Sequence, residues 1–168
     1  MSTARTLLPL LGARLGCATT REIPLGDRAL RTLESPRLER AVLDAVSARG
    51  LGLAAGRRVR IAGRRELEGT ACIGSTLHCV TVLSAEARAG LRGFVPERPA
   101  DDALLSVPGA EGDRGAQVLV LEMDDLRYQP DPGQVGPDAP SAQEIEDRVR
   151  RRVTDWLAWL ASQGALPR

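Results

Sequence analysis

Two stretches of this chain carry apolar residues at helical spacing. In the first, Leu38, Ala41, Val42, Ala45 and Val46 form one stripe, while Glu39, Arg40, Asp44 and Arg49 lie off it. Ser35 followed by Pro36 is a helix start, because Ser caps free N–H groups and proline needs no donor in the first turn. Gly50 is a fitting stop, so a helix is expected over 36–49. In the second stretch, Ile145, Val149, Val153, Trp156, Leu157 and Leu160 make the stripe. Ser141 and Glu144 have the spacing of a capping box, and Gly164 ends the pattern. The pairs Glu144–Arg148, Glu146–Arg150 and Asp147–Arg151 place acid before base one turn apart.

Between these helices the period falls to two. Residues 57–62 alternate, Gly63-Arg64-Arg65 turns the chain, and 66–73 and 77–83 read as two further strands. In the last of these, Leu77, Cys79, Thr81 and Leu83 share one face, and His78, Val80 and Val82 share the other. Apolar residues on both faces point to a central strand. Residues 117–123 form the most apolar run and read as a second buried strand, which 124–128 extend to an exposed end. Residues 84–90 predict a short helical turn, and Ile23-Pro24-Leu25 a short strand weakened by its proline. Residues 94–116 read as a long flexible connector and 129–140 as a stiff proline-rich linker. The expected fold is a single α+β domain over 18–168. It has two layers: a four- to five-stranded, mostly antiparallel sheet, with both long helices on one face.

Cys72 and Cys79 flank this pattern symmetrically. A two-residue turn at Ser75-Thr76 sets residue 72 opposite 79 with both side chains on one face, as a cross-strand disulfide requires. Two reduced, buried cysteines acting as small hydrophobes are the reading favoured over a bridge, because free Cys is among the most buried residue types. A zinc site on Cys72, His78 and Cys79 is disfavoured, since His78 and Cys79 point to opposite faces and no second ligand pair exists.

Composition removes several function classes. The 168 residues carry 23 basic and 22 acidic side chains, and a net charge of +1 gives no overall footprint for nucleic acid. All the cations are arginine, a bias that a GC-rich genome produces. Lysine Schiff-base chemistry and a phosphate-loop lysine are therefore impossible. His78 is the sole histidine, so any triad would have to use it, yet no Gly-x-Ser-x-Gly elbow accompanies it. Asp124 and Asp125 follow a buried strand, a place where catalytic carboxylates often sit, but no calcium-loop spacing surrounds them. No cofactor and no small-molecule substrate is evident.

The N-terminus points to a compartment. Arg5 precedes the apolar run Leu7–Leu11, and Leu15-Gly16-Cys17-Ala18 follows. This end resembles the lipobox of bacterial outer-membrane lipoproteins, in which Gly then Cys closes an apolar segment and the thiol is lipidated. Arg14 stands where that family has Leu. The resemblance implies an export signal over 1–17, lipidation of Cys17, and a periplasm-facing outer-membrane location. The order of helix, strands and closing helix is also similar in outline to small α+β lipoproteins of that membrane.

The expected function is that of a non-enzymatic envelope protein, a scaffold or assembly partner within a larger complex. It would meet a membrane only through its lipid. Arg148, Arg151, Arg152 and Trp159 are the candidate contacts with protein partners. Two alternatives belong to other classes. One is an intracellular structural subunit of a phage-tail or secretion-apparatus type of assembly. The other is a small enzyme using Asp124, Asp125 or His78.

Overall fold

A computed structural model describes residues 30–74, 76–97, 103–130 and 139–166. The candidate signal with Cys17, the strand expected at Ile23–Leu25 and most of the proline-rich linker lie outside these residues. Both long helices form where the stripes place them. Helix α1 covers Ser35–Ser47 and buries all five stripe residues. The closing helix, α3 (Ala142–Ser162), buries all six of its own. Between them lies a short helix, α2 (Ala85–Gly90), capped by the Ser84 hydroxyl.

Nine strands accompany these helices in the described residues. They are β1 (Arg31–Thr32), β2 (Leu53–Ala55), β3 (Arg58–Ile61), β4 (Arg65–Glu68), β5 (Ala71–Ile73), β6 (Cys79–Leu83), β7 (Ser106–Pro108), β8 (Gln117–Glu122) and β9 (Arg127–Tyr128). Five form one mixed sheet in the order β2-β5-β6-β8-β7, while β3-β4 and β1-β9 are separate two-stranded pairs. Strands β6 and β8 run parallel and the other pairings of the large sheet are antiparallel. The antiparallel expectation thus fails at the centre, where the return from β6 passes through α2 and β7 before β8 pairs with it.

Alternation along the strands divides the core in two. Ile73, Val80, Leu119 and Leu121 pack with α1 and α3 on one face. Cys72, Cys79, Val118 and Val120 pack on the other, with Val59, Ile61 and Leu67 of the β3–β4 hairpin. The expected two-layer arrangement is therefore incomplete: both helices do share one face, but the hairpin forms a third layer on the other. Thr81 is buried on that side, and its hydroxyl donates to the Glu68 carbonyl at 2.6 Å, which satisfies it where no water reaches. The run 66–73 is two strands rather than one. It breaks at Gly69-Thr70, where the chain passes from the hairpin layer into the large sheet.

The hairpin is held from both ends. At its tip Gly63 adopts φ +70°, and a side chain there would overlap the Phe94 ring. The Arg65 guanidinium lies 5.4 Å from that ring's centroid. Along the hairpin's edge, Asp113 accepts from Arg57 Nη2 at 2.9 Å and from the Arg60 backbone N–H at 2.8 Å. Residues 103–116, expected as part of a flexible connector, thus contain both an edge strand and this clamp.

The capping box forms as expected. The Ser141 hydroxyl accepts from the Glu144 N–H at 3.2 Å, and the Ser141 N–H donates to Glu144 Oε2 at 2.7 Å. That backbone N–H, with the Ser141 side chain and the Arg148 charge, holds the Glu144 carboxyl below its ordinary value. A depressed carboxylate contributes stability above its unfolded-state pKa, and the contribution is lost as pH falls through the lower folded value. Acidification should therefore loosen the first turn of α3 before the core opens, as NMR exchange of the Glu144 and Ile145 amides would report. Ser141→Ala should cost about 1 kcal/mol in urea unfolding at neutral pH.

Candidate functional site

The disulfide is the first feature with chemical consequence. Cys72 and Cys79 are register partners on β5 and β6, with Cα atoms 3.9 Å apart, and they are bonded. The Ile73 N–H donates to the His78 carbonyl at 2.9 Å, which makes 72 and 79 the close, non-hydrogen-bonded kind of pair. Both cysteines are buried under the hairpin. The alternative of two reduced thiols is thereby set aside. The bridge closes a short loop, so its entropic effect on the unfolded chain is modest, about 2 kcal/mol. Cys72→Ala with Cys79→Ala should lower the unfolding free energy by roughly that amount. A urea titration of the oxidised protein beside the double variant measures it.

His78 sits between these cysteines and the last turn of α3. Its Nδ1 accepts the Gln117 backbone N–H at 3.2 Å, which leaves Nε2 to donate to the Ala165 carbonyl at 2.9 Å. Trp156 meets its ring edge-on, with centroids 6.3 Å apart. Both ring nitrogens are thus committed to backbone, and the imidazole fastens the end of α3 to the starts of β6 and β8.

Asp124 and Asp125 lie at the other end of the same sheet. Strand β8 spans six residues between the two ends, or roughly 20 Å at ~3.3 Å per residue. The fold therefore does not bring His78 together with either aspartate. Nor do the aspartates act as a pair. Asp125 accepts from Arg152 Nη1 at 2.8 Å, with side chains only 11% and 15% exposed respectively, whereas Asp124 is exposed. This places Arg152, one of the candidate partner contacts, at the interior edge of the fold. Arg151 and Trp159 are exposed and Arg148 is half-buried. Arg150 is drawn across to α1, pairing with Asp44 as well as with Glu146 and Asp147 of its own helix.

A groove of about 810 Å³ opens at the C-terminal ends of the parallel strands β6 and β8. Ligands of open parallel sheets favour such a position. Leu83, Phe94, Val95 and Pro96 supply an apolar wall, and Glu122 and Asp124 an acidic one. Arg88 crosses the groove. Its Nε lies 3.1 Å from Glu122 Oε1, and its Nη2 donates to the Pro96 carbonyl at 2.7 Å. The lining holds one hydroxyl, that of Ser84, and its oxygen is engaged in capping α2. This arrangement suits contact with a mixed polar and apolar segment of another molecule. Among the described residues, no group of three or more His, Cys, Asp or Glu side chains is placed to hold a metal ion.

Sequence reasoning missed this groove because its parts come from 83–97 and 122–124, which share no motif. Pro96 fell in the expected connector, but nothing local showed that Arg88 would reach across to Glu122. No protein-family model, curated protein or solved structure matches this chain.

Proposed function

We propose that the chain is an exported envelope protein, tethered to a membrane by a lipid on Cys17, and that it serves as a non-enzymatic scaffold or assembly partner of a larger complex. The observation that carries this reading is the Cys72–Cys79 bridge. Disulfides form and persist in oxidising, extracytoplasmic compartments and are rare in the cytosol. The bridge accounts for two of the three cysteines and leaves Cys17 for the lipid that the Leu15-Gly16-Cys17-Ala18 segment implies. No helix of the described residues is long and apolar enough to cross a membrane, so attachment through a lipid on Cys17 does not compete with a spanning helix among them.

The polar chemistry favours partner binding over catalysis. The His78 nitrogens, the Asp125 carboxylate and the Arg152 guanidinium fasten elements to one another. The exposed Arg151 and Trp159 on α3, with half-buried Arg148, remain as contact residues for a protein partner, and the groove beside Arg88 is a second such surface.

Intact mass of the protein from its native host, with and without reductant, tests the proposal. The expected species begins at Cys17, carries acyl chains and gains two hydrogens on reduction. A full-length species with three free thiols would overturn export. It would favour the intracellular-subunit alternative.

A further inference from the structure

Among the described residues strand β2 is an open edge of the large sheet, and we infer that it is the seam along which two copies of this chain pair. The backbone bonding defines which groups are free. The Gly74 N–H donates to the Gly52 carbonyl at 2.7 Å, and Leu53, Ala54 and Ala55 face Ile73, Cys72 and Ala71 in register. Alternation along an antiparallel pair then turns the N–H and C=O of Ala54 toward β5, and those of Leu53 and Ala55 outward. Among the described residues no strand pairs with that outer side. Ala54 and Ala55 are exposed.

Edge strands normally carry charge, proline or a bulge that blocks pairing with another chain. Strand β2 carries none. Residues 50–56 are uncharged, in a chain of which 27% is charged, so a second copy meets no like charge along the strand. The opposite edge is protected. The Gly109 N–H donates to the Ala116 carbonyl and the Val120 N–H to the Leu105 carbonyl, which turns Ser106 and Pro108 of β7 outward. Pro108 has no N–H to offer there. One open edge and one blocked edge give a closed pair rather than a growing fibre.

The occupant is a second copy because the free edge is complementary to itself. An antiparallel pairing about a two-fold axis at Ala54 sets Leu53 opposite Ala55 of the copy and Ala55 opposite its Leu53. All the outward N–H and C=O groups of those residues are then satisfied. A three-residue strand alone is a small contact, and the flank of α1 enlarges it. Trp156 of α3 reaches Ser106 on β7, and Arg152 reaches Asp125 beyond β8. Helix α3 therefore lies against that half of the sheet, and α1 packs beside α3 in the core that also holds Leu53, Ala71 and Ile73. Arg37 and Asp44 mark the side of α1 that faces α3. Leu43, 43% exposed, borders the buried stripe on the side away from α3.

The same geometry supplies a test with its own control. In the proposed register Ala54 faces Ala54 of the copy, at the close spacing of a non-hydrogen-bonded pair. Sedimentation velocity of the full chain over a concentration series should show a species of twice 18.0 kDa. Ala54→Arg and Ala54→Glu, each alone, should raise the dissociation constant by about tenfold or more through like-charge contact. Mixing the two variants should restore pairing to near the unsubstituted level. Ala54 is exposed, so circular dichroism of both variants should match the parent, and thermal unfolding should match it at dilutions where the parent is monomeric. A monomer at every concentration, or a dimer indifferent to both charges, would overturn the inference.

Discussion

Trp156→Ala should lower the unfolding free energy by about 3–5 kcal/mol, the largest effect expected of any single side chain here. Trp156 is fully buried in the core that α1 and α3 share with the sheet. Its removal loses the transfer free energy of a large aromatic and leaves a cavity that the surrounding helix and strands can only partly close. Two directional contacts go with it. The indole Nε1–H donates to Ser106 Oγ at 3.2 Å on the edge strand β7, and the ring meets His78 edge-on. Ser106 keeps a partner in Gln117 Oε1 at 3.1 Å, so the hydroxyl is not stranded. Trp156→Phe retains most of the packing and should cost about 1–2 kcal/mol. Urea unfolding followed by circular dichroism is the proper readout. Fluorescence would mix in the exposed Trp159. An effect of Trp156→Ala below about 1 kcal/mol would mean that this core collapses far more readily than close packing allows.

Asp125→Ala should cost about 2 kcal/mol, because it removes a charge-assisted hydrogen bond to the mostly buried Arg152 guanidinium. The expected consequence is local as well as global. Asp125 lies in the 3-10 turn Met123–Leu126 that leads into β9, and β9 pairs with β1. The Leu33 N–H donates to the Leu126 carbonyl at 2.8 Å within the same unit. Hydrogen exchange in the variant should therefore rise at Leu33 and along β1 and β9 before it rises in β6 and β8. Replacing both partners by apolar residues of similar size, Asp125→Leu with Arg152→Met, should recover part of the loss, since neither member of this pair is left facing the other's absence. A double-mutant cycle separates this coupling from the packing of the arginine stem. If Asp125→Ala and Arg152→Met proved additive, the pair would be a surface contact in effect.

Much of this fold was legible in the residue pattern, and the particular elements show why. Both long helices, their buried stripes and the capping box of α3 follow from spacing within a few turns of chain, whereas Ser35 does not cap α1: it is the first helical residue, Glu34 stands at the N-cap and no side chain bonds there. Burial of β6 and β8 followed from apolar residues on both faces of short runs. The opposition of Cys72 and Cys79 followed from the symmetry of the residues between them. Each of these is a relation among neighbours in sequence.

The candidate site was less legible, for the converse reason. Arg152 read as a candidate partner contact, and only its approach to Asp125, far away in sequence, takes it largely inside. His78 read as a candidate catalytic residue and as a disfavoured zinc ligand. The Gln117 N–H and the Ala165 carbonyl settle its two nitrogens, and neither partner has any sequence signature as a backbone group. Strands β2 and β7 escaped notice because Leu53–Ala55 and Ser106–Pro108 are too short to show a period, and their extension comes from the pairing itself.

By itself, then, the sequence determined the helices, the central strands, the cysteine register and the classes of chemistry that lysine and a second histidine would have needed. Tertiary structure alone decided the parallel join of β6 to β8, the third layer built by the β3–β4 hairpin, the groove under Arg88 and the open edge at β2. Local propensity and periodicity depend on residues a turn or a hairpin apart. Which edge is left free, which charge is buried and which face is covered depend on where distant segments come to rest.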